Sequence, residues 1–245
     1  MKKNQIYIGC SAYYNRHWKP VFYPEKLPQR LWLPFYCQHF NTLELNSTFY
    51  RFPTDQSLKT SFFDKSPDDF IFSVKAPKVI THLKKFNDCA VLVDDFYTAC
   101  AAGLQHKLGC VLFQLPPSIH YNEEKLDEIV SYMNPDFKNV IEFRHVSWWT
   151  NEVYDRLAEK NITFCSISHP TLPETIITNT PVAFIRIHGN PKLYYSDYTD
   201  EDREALHRAI LKNKELKETY IYFNNTASTS GVLNALQMKK LSLKQ

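Results

Sequence analysis

Eight short apolar runs recur along the chain, and each gives way to polar residues rather than to a tight turn. They lie near Ile6 to Gly9, Thr42 to Leu45, Ile71 to Val74, Cys110 to Leu115, Val140 to Phe143, Thr163 to Ser166, Ala183 to Ile187 and Tyr220 to Phe223. Runs of this length without sustained polar alternation read as strands of a sheet covered on both faces. Between them stand segments of helical period: Gln29 to Phe40, Ser57 to Phe63, Cys89 to His106, Glu123 to Met133, Glu152 to Lys160, Asp200 to Glu218 and Gly231 to Leu241. In the fourth, Leu126, Ile129, Val130 and Met133 take the i, i+3, i+4, i+7 positions of an amphipathic helix. Pro34 should confine the regular part of the first helix to the residues after it. The stretch from Thr171 to Pro181 is too short and irregular for a full helix.

No two strands are joined by a hairpin turn, and strand starts recur at roughly 20–40 residues, the size of a strand–helix unit. The pattern predicts an α/β fold, a single (β/α)8 TIM-like barrel over residues 1–245, with an irregular or missing helix after the sixth strand. A length of 245 residues without a Gly-Ser or Pro-rich linker fits one such domain.

Polar chemistry gathers where the strands stop. Glu44 and Asn46, Glu142 and Arg144, and Arg186 and His188 stand two apart, so each pair shares one strand face. Lys75, Gln114 and Asn224 end three other strands. In a parallel barrel these carboxyl ends carry the ligand chemistry. Three cations with Asn and Gln donors suit a phosphate or carboxylate, which an arginine fork matches at two points. Glu44, Glu142 and His188 are the candidate catalytic residues, the two carboxylates serving as base and acid if burial separates their pKa values. Asn46, Tyr50, Lys75, Gln114, Arg144, Trp148, Arg186 and Asn224 are the candidate ligand-binding residues. The expected activity is that of a hydrolase or isomerase on a phosphorylated sugar or nucleotide-like anion.

Three competing readings are weighed against this one. The same charges can form ion pairs that merely plug the barrel mouth, although a buried pair often gains nothing over apolar packing. No cofactor is predicted, and a zinc or manganese ion on Glu44, Glu142 and His188 is the lesser alternative, because neighbouring cations repel a metal. The third is a module binding single-stranded nucleic acid or another anion without catalysis. There Tyr13, Tyr14, Trp18, Phe49, Tyr50, Trp148, Trp149, Tyr194 and Tyr195 stack bases beside Lys78, Lys84 and Lys85. Packing of those rings over the barrel end competes with it. His82, His145 and His169 read as surface or supporting loop residues, and Cys165 as core.

Composition changes the picture little. A net charge of +3 is too mild to announce a nucleic-acid or membrane protein. Six cysteines without Cys-x-x-Cys spacing, several inside strands, read as reduced core thiols and place the chain in the cytoplasm. The apolar segment Ile6 to Ile8 after Lys2-Lys3 is too short for a signal peptide, and no later segment is expected to enter a membrane.

Several segments resemble a known family. They are Phe22-Tyr23-Pro24, Phe40 to Arg51, Val74-Lys75-Ala76-Pro77, Ile80-Thr81-His82, Leu112 to Pro117, Glu142-Phe143-Arg144-His145, Arg186-Ile187-His188-Gly189 and Tyr222-Phe223-Asn224-Asn225. Together they are similar to the YecE-like family of uncharacterised bacterial proteins, over nearly the whole chain. The resemblance implies a TIM-barrel-like fold, broadly similar to the endonuclease IV and xylose isomerase group, and brings no reaction with it. The clustered His and Asp residues of endonuclease IV are not evident here. Pro34 and Cys10 depart from the family pattern at positions that bear on packing.

Overall fold

The computed structural model describes residues 4–243. Eight parallel strands form one sheet: β1 Gln5–Cys10, β2 Thr42–Leu45, β3 Ile71–Lys75, β4 Leu108–Gln114, β5 Lys138–Glu142, β6 Thr163–Ser168, β7 Val182–Ile187 and β8 Glu218–Phe223. Its hydrogen-bonded order runs β1-β8-β7-β6-β5-β4-β3-β2, so the chain's first two strands are the sheet's two ends. Every apolar run of the sequence became a strand because a barrel covers both faces of each.

Helices alternate with the strands: α1 Trp32–His39, α2 Ser47–Tyr50, α3 Asp55–Ser61, α4 Ala90–Leu104, α5 Glu123–Ser131, α6 Asn151–Glu159, α7 Asp200–Lys212 and α8 Ser230–Ser242. No helix forms between β6 and β7, in keeping with the short connection there. Three of the departures from expectation have a clear local reason. Helix α1 begins two residues before Pro34, which sits in the first turn, where its missing N–H costs nothing. Helix α7 stops at Lys212 because Asn213 turns extended and its side chain accepts from Glu215 N at 2.9 Å, an Asx turn. The exit of β2, expected as loop, folds into the single turn of α2.

Period-2 alternation sorts the strand residues. One set, including Leu43, Val111, Phe113, Ile141 and Ile185, packs outward under the helices in the larger apolar cluster. The other fills the barrel with Tyr7, Cys110, Leu112, Val140, Cys165, Phe184, Tyr220 and Tyr222. The same inward face carries Thr42, Glu44, Lys75, Gln114, Glu142 and Arg186. All six cysteines are free and buried. Among the described residues no helix is long and apolar enough to cross a membrane.

Side chains close the ring where β1 meets β2. The Asn41 amide accepts from Ile8 N at 3.1 Å and donates to Ile6 O at 3.2 Å. The Tyr36 hydroxyl accepts from Cys10 N at 2.7 Å and donates to Thr42 O at 3.1 Å. Gly9 lies between them, and a Cβ there would stand 2.2 Å from Thr42 O, so only glycine permits the approach. Because Tyr36 is fully buried, Tyr36→Phe orphans a buried N–H and a buried carbonyl. A loss of roughly 1–3 kcal/mol is expected in urea unfolding, with β1 amides exchanging faster than those of β5. Unchanged stability and exchange would show that the seam is closed by other contacts.

Candidate functional site

The inward period that fills the barrel with apolar rings ends at its carboxyl rim in charge. Arg186, on β7 and 1% exposed, spans the mouth and ties two carboxylates together. Its Nε donates to Glu44 Oε2 at 2.9 Å and its Nη2 to Glu44 Oε1 at 2.6 Å, a two-point fork onto β2. Its Nη1 donates to Glu142 Oε2 at 2.6 Å on β5. Arg144 then bonds through Nε to Glu142 Oε1 and through Nη2 to His188 Nε2 at 2.9 Å. The Ser11 hydroxyl adds a donor to Glu44 at 3.3 Å.

These contacts set the protonation states. Burial by itself pushes the Glu142 carboxyl up, but Arg144 and Arg186 more than offset it and hold the group well below the usual carboxylate range. His188 goes the other way: burial, and then Arg144, lower it to about 3 against the pull of Glu142, so the ring is neutral. Accepting from Arg144 requires a lone pair on Nε2, which puts the ring's one proton on Nδ1. The structure places Asn224 Nδ2 2.8 Å from His188 Nδ1, so the amide meets an Nδ1 proton only with its oxygen and nitrogen exchanged.

Lys75 stands apart from this network. It is 9% exposed at the end of β3, and its Nζ donates to Gln114 Oε1 at 2.7 Å and lies 4.1 Å from the centre of the Phe49 ring. Both carboxylates are engaged by arginines, and among the described residues none forms an ion pair with Lys75. Burial, and then Arg186, lower its pKa from 10.5 to about 7. The backbone here is pinned by the Thr48 hydroxyl, which bonds Lys75 O at 2.6 Å.

The structure therefore brings together Glu44, Lys75, Gln114, Glu142, Arg144, Arg186, His188 and Asn224, from six of the eight strands and their exits. Asn46 joins at the edge, its amide donating to Ser11 O at 2.9 Å while its Oδ1 is buried without a partner. Tyr50 and Trp148 do not join. Tyr50 is 74% exposed on α2, and Trp148 is fully buried against Phe143, its indole N–H held by Ile119 O at 2.8 Å. Trp148 was misplaced because its residue type suits a ligand platform as well as a core, and only the carbonyl of a distant loop decides between them.

Two loop histidines read as peripheral stand at the rim. His82 sits on a single π-helical turn, Val79–Leu83, edge-on to the Phe49 ring at 4.9 Å, and burial and then Lys75 lower its pKa to about 4. His169 lies 6.1 Å from the His188 ring, ring centre to ring centre. No period marked either, although His82 ends the family-like segment Ile80-Thr81-His82. Among the described residues no cluster of three or more His, Cys, Asp or Glu side chains is arranged to hold a metal ion, and the oxygens of Glu44 and Glu142 are taken by guanidinium groups.

The sequence matches a family. Residues 7–245 fit the model of a protein of unknown function, DUF72. The chain belongs to the DUF72 family. A DUF72 protein of Thermotoga maritima has the same fold at TM-score 0.89, with 29% sequence identity over 99% of this chain and 100% of that one. A DUF72 protein of Enterococcus faecalis superposes at TM-score 0.82 over 97% of this chain and 95% of its own, at 20% identity. In sequence, the UPF0759 protein YunF of Bacillus subtilis is 24% identical over 96% of this chain and 94% of its own length. The UPF0759 protein YecE of Escherichia coli K12 is 28% identical over 57% of this chain and 48% of its own. These DUF72 relatives carry the fold and the family, and their names assign no reaction.

Proposed function

We propose that the barrel mouth binds a small anionic ligand, a phosphate- or carboxylate-bearing metabolite, and works on it by proton transfer in the manner of an isomerase or hydrolase. One observation carries the reading: three cations stand at the mouth against two carboxylates, both carboxylates are occupied by arginines, and Lys75 is left buried without a counter-ion. An unpaired buried ammonium is costly in an empty fold, and an anion entering the mouth supplies its partner. Arg144 is the second positive group within reach, its side chain 12% exposed.

The proton chemistry falls on different groups from those the sequence indicated. Glu142 is held ionised and Glu44 is forked by Arg186, so they act as fixed charges that set the field of the site. Lys75, lowered to about 7, is the group able to exchange a proton around pH 7, while His188, lowered to about 3, stays neutral there.

A thermal-shift series tests the binding step. Inorganic phosphate, sugar phosphates and short carboxylates at millimolar concentration should raise the melting temperature, the gain growing with the logarithm of concentration. No shift with any of them, alongside normal melting, sinks the reading.

A second reading, single-stranded nucleic acid, is favoured by the four tyrosines Tyr14, Tyr50, Tyr194 and Tyr195, which are 40–74% exposed on α2 and on loops at the same end of the barrel. The other rings in that set are buried or half-buried. An oligonucleotide bound along its backbone loses affinity steeply between low and moderate salt, whereas an anion seated on buried Lys75 loses little.

A further inference from the structure

The mouth contains one group whose chemistry the anion site does not exhaust. Lys75 Nζ has one neutral hydrogen-bond acceptor, the Gln114 carbonyl oxygen, and one neutral ring, Phe49. The groups facing it from the surrounding elements are Glu44 on β2, Glu142 and Arg144 on β5 and its exit, Arg186 on β7 and His82 on the π-helical turn. Both acids there are bonded to guanidinium groups, so no carboxylate holds the amine in its protonated form. Charge attraction alone would be served as well by an arginine, which never gives up its proton. A lysine desolvated beside another cation is instead the arrangement that frees an amine nucleophile.

We propose that Lys75 condenses with the carbonyl group of an anionic aldehyde or ketone, so that the ligand of this site is a carbonyl compound bearing a phosphate or carboxylate. The inference rests on the anion-site reading and narrows its ligand class. The Nζ lone pair forms the C–N bond as the carbonyl π pair moves to oxygen. That oxygen takes one proton from the attacking nitrogen and one from solvent and leaves as water, while the remaining nitrogen pair closes the C=N bond. Amine, carbonyl and one proton thus give an iminium and water, with no oxidant or reductant. The iminium keeps the positive charge at the position the anion requires. At pH 7 about half of Lys75 is free amine, because burial and Arg186 depress it to about 7, whereas an ordinary surface lysine is almost wholly protonated.

The test is borohydride trapping on the full chain, with glyceraldehyde 3-phosphate as the anionic probe and glyceraldehyde as its uncharged control. A single reduced adduct is expected in the intact mass, mapping to the peptide that contains Lys75. It should form about tenfold faster with the phosphorylated probe at low salt, with a rate half-maximal near pH 7. Lys75→Arg, checked for a normal melt, should lose the adduct. Peptide mapping of the wild-type chain stands even if that variant does not fold. Labelling spread over surface lysines, or unchanged in Lys75→Arg, overturns the inference. Inorganic phosphate binding by calorimetry separates the two readings: binding without trapping removes the imine alone, and no binding removes the anion site beneath it.

Discussion

Arg186→Met should cost the fold about 3–5 kcal/mol, the range for removing one partner from a buried ion pair and leaving charge behind. For a chain of this size that lowers the melting temperature by roughly 6–20 °C. The size follows from what Arg186 touches. Among the described residues it is the one side chain bonded to both Glu44 and Glu142, and all three side chains are 0–1% exposed. Glu142 keeps Arg144 in the variant, whereas Glu44 keeps only the Ser11 hydroxyl at 3.3 Å. Glu44→Gln added to Arg186→Met should therefore recover part of the loss. A carboxylate stripped of its guanidinium binds a proton more tightly folded than unfolded. Stability of the single variant then falls as pH rises, and its deficit against wild type should widen from pH 5 to pH 8. Wild type has the opposite dependence on Glu142, whose depressed carboxyl contributes stability above the unfolded carboxylate range that is lost only as the pH drops below it. A loss under 1 kcal/mol, or one independent of pH, would mean that the mouth tolerates bare carboxylates.

The barrel was legible because its strands are buried on both faces and appear in the sequence as apolar runs. The rim was legible because period-2 geometry commits Glu142 with Arg144 and Arg186 with His188 to one face before any partner is known. What period could not supply was the pairing. Three cations and two acids at strand ends allow several networks, and the one that forms turns on Arg186 reaching across the barrel to both Glu44 and Glu142. That choice leaves Lys75 over, and with it the inversion of roles between carboxylates and amine. His82 and His169 were legible only as surface or supporting loop residues for a related reason. They are placed by loop geometry, a π-helical turn in one case and the helix-free connection after β6 in the other, and loops carry no repeating pattern. Closure of the ring was equally hidden, since Asn41 and Tyr36 substitute for a backbone ladder only once β1 and β2 have met.

Lys75→Met should melt higher than wild type at pH 7 in the absence of added anion, and should lose the stabilisation that anions give. The upper bound on the gain is about 5 kcal/mol, the free-energy equivalent of depressing the amine from 10.5 to about 7. Methionine leaves Gln114 Oε1 without its donor, a buried acceptor whose loss takes back about 1–3 kcal/mol, so a net gain of at most roughly 2–4 kcal/mol is expected. Because the folded pKa lies below the unfolded one, the wild-type fold carries the full penalty below pH 7 and sheds it as the pH rises from 7 toward 10.5. The advantage of the variant should shrink across that same window. Saturating phosphate then works on wild type alone, and the order of the two melting temperatures should draw together or reverse. A variant that melts lower than wild type in anion-free buffer would show that the ammonium is already matched inside the fold. A residue that weakens the empty barrel and strengthens the occupied one is held by its ligand, which is why the unpaired cation, more than the tightly bonded arginines and carboxylates around it, marks where the molecule acts.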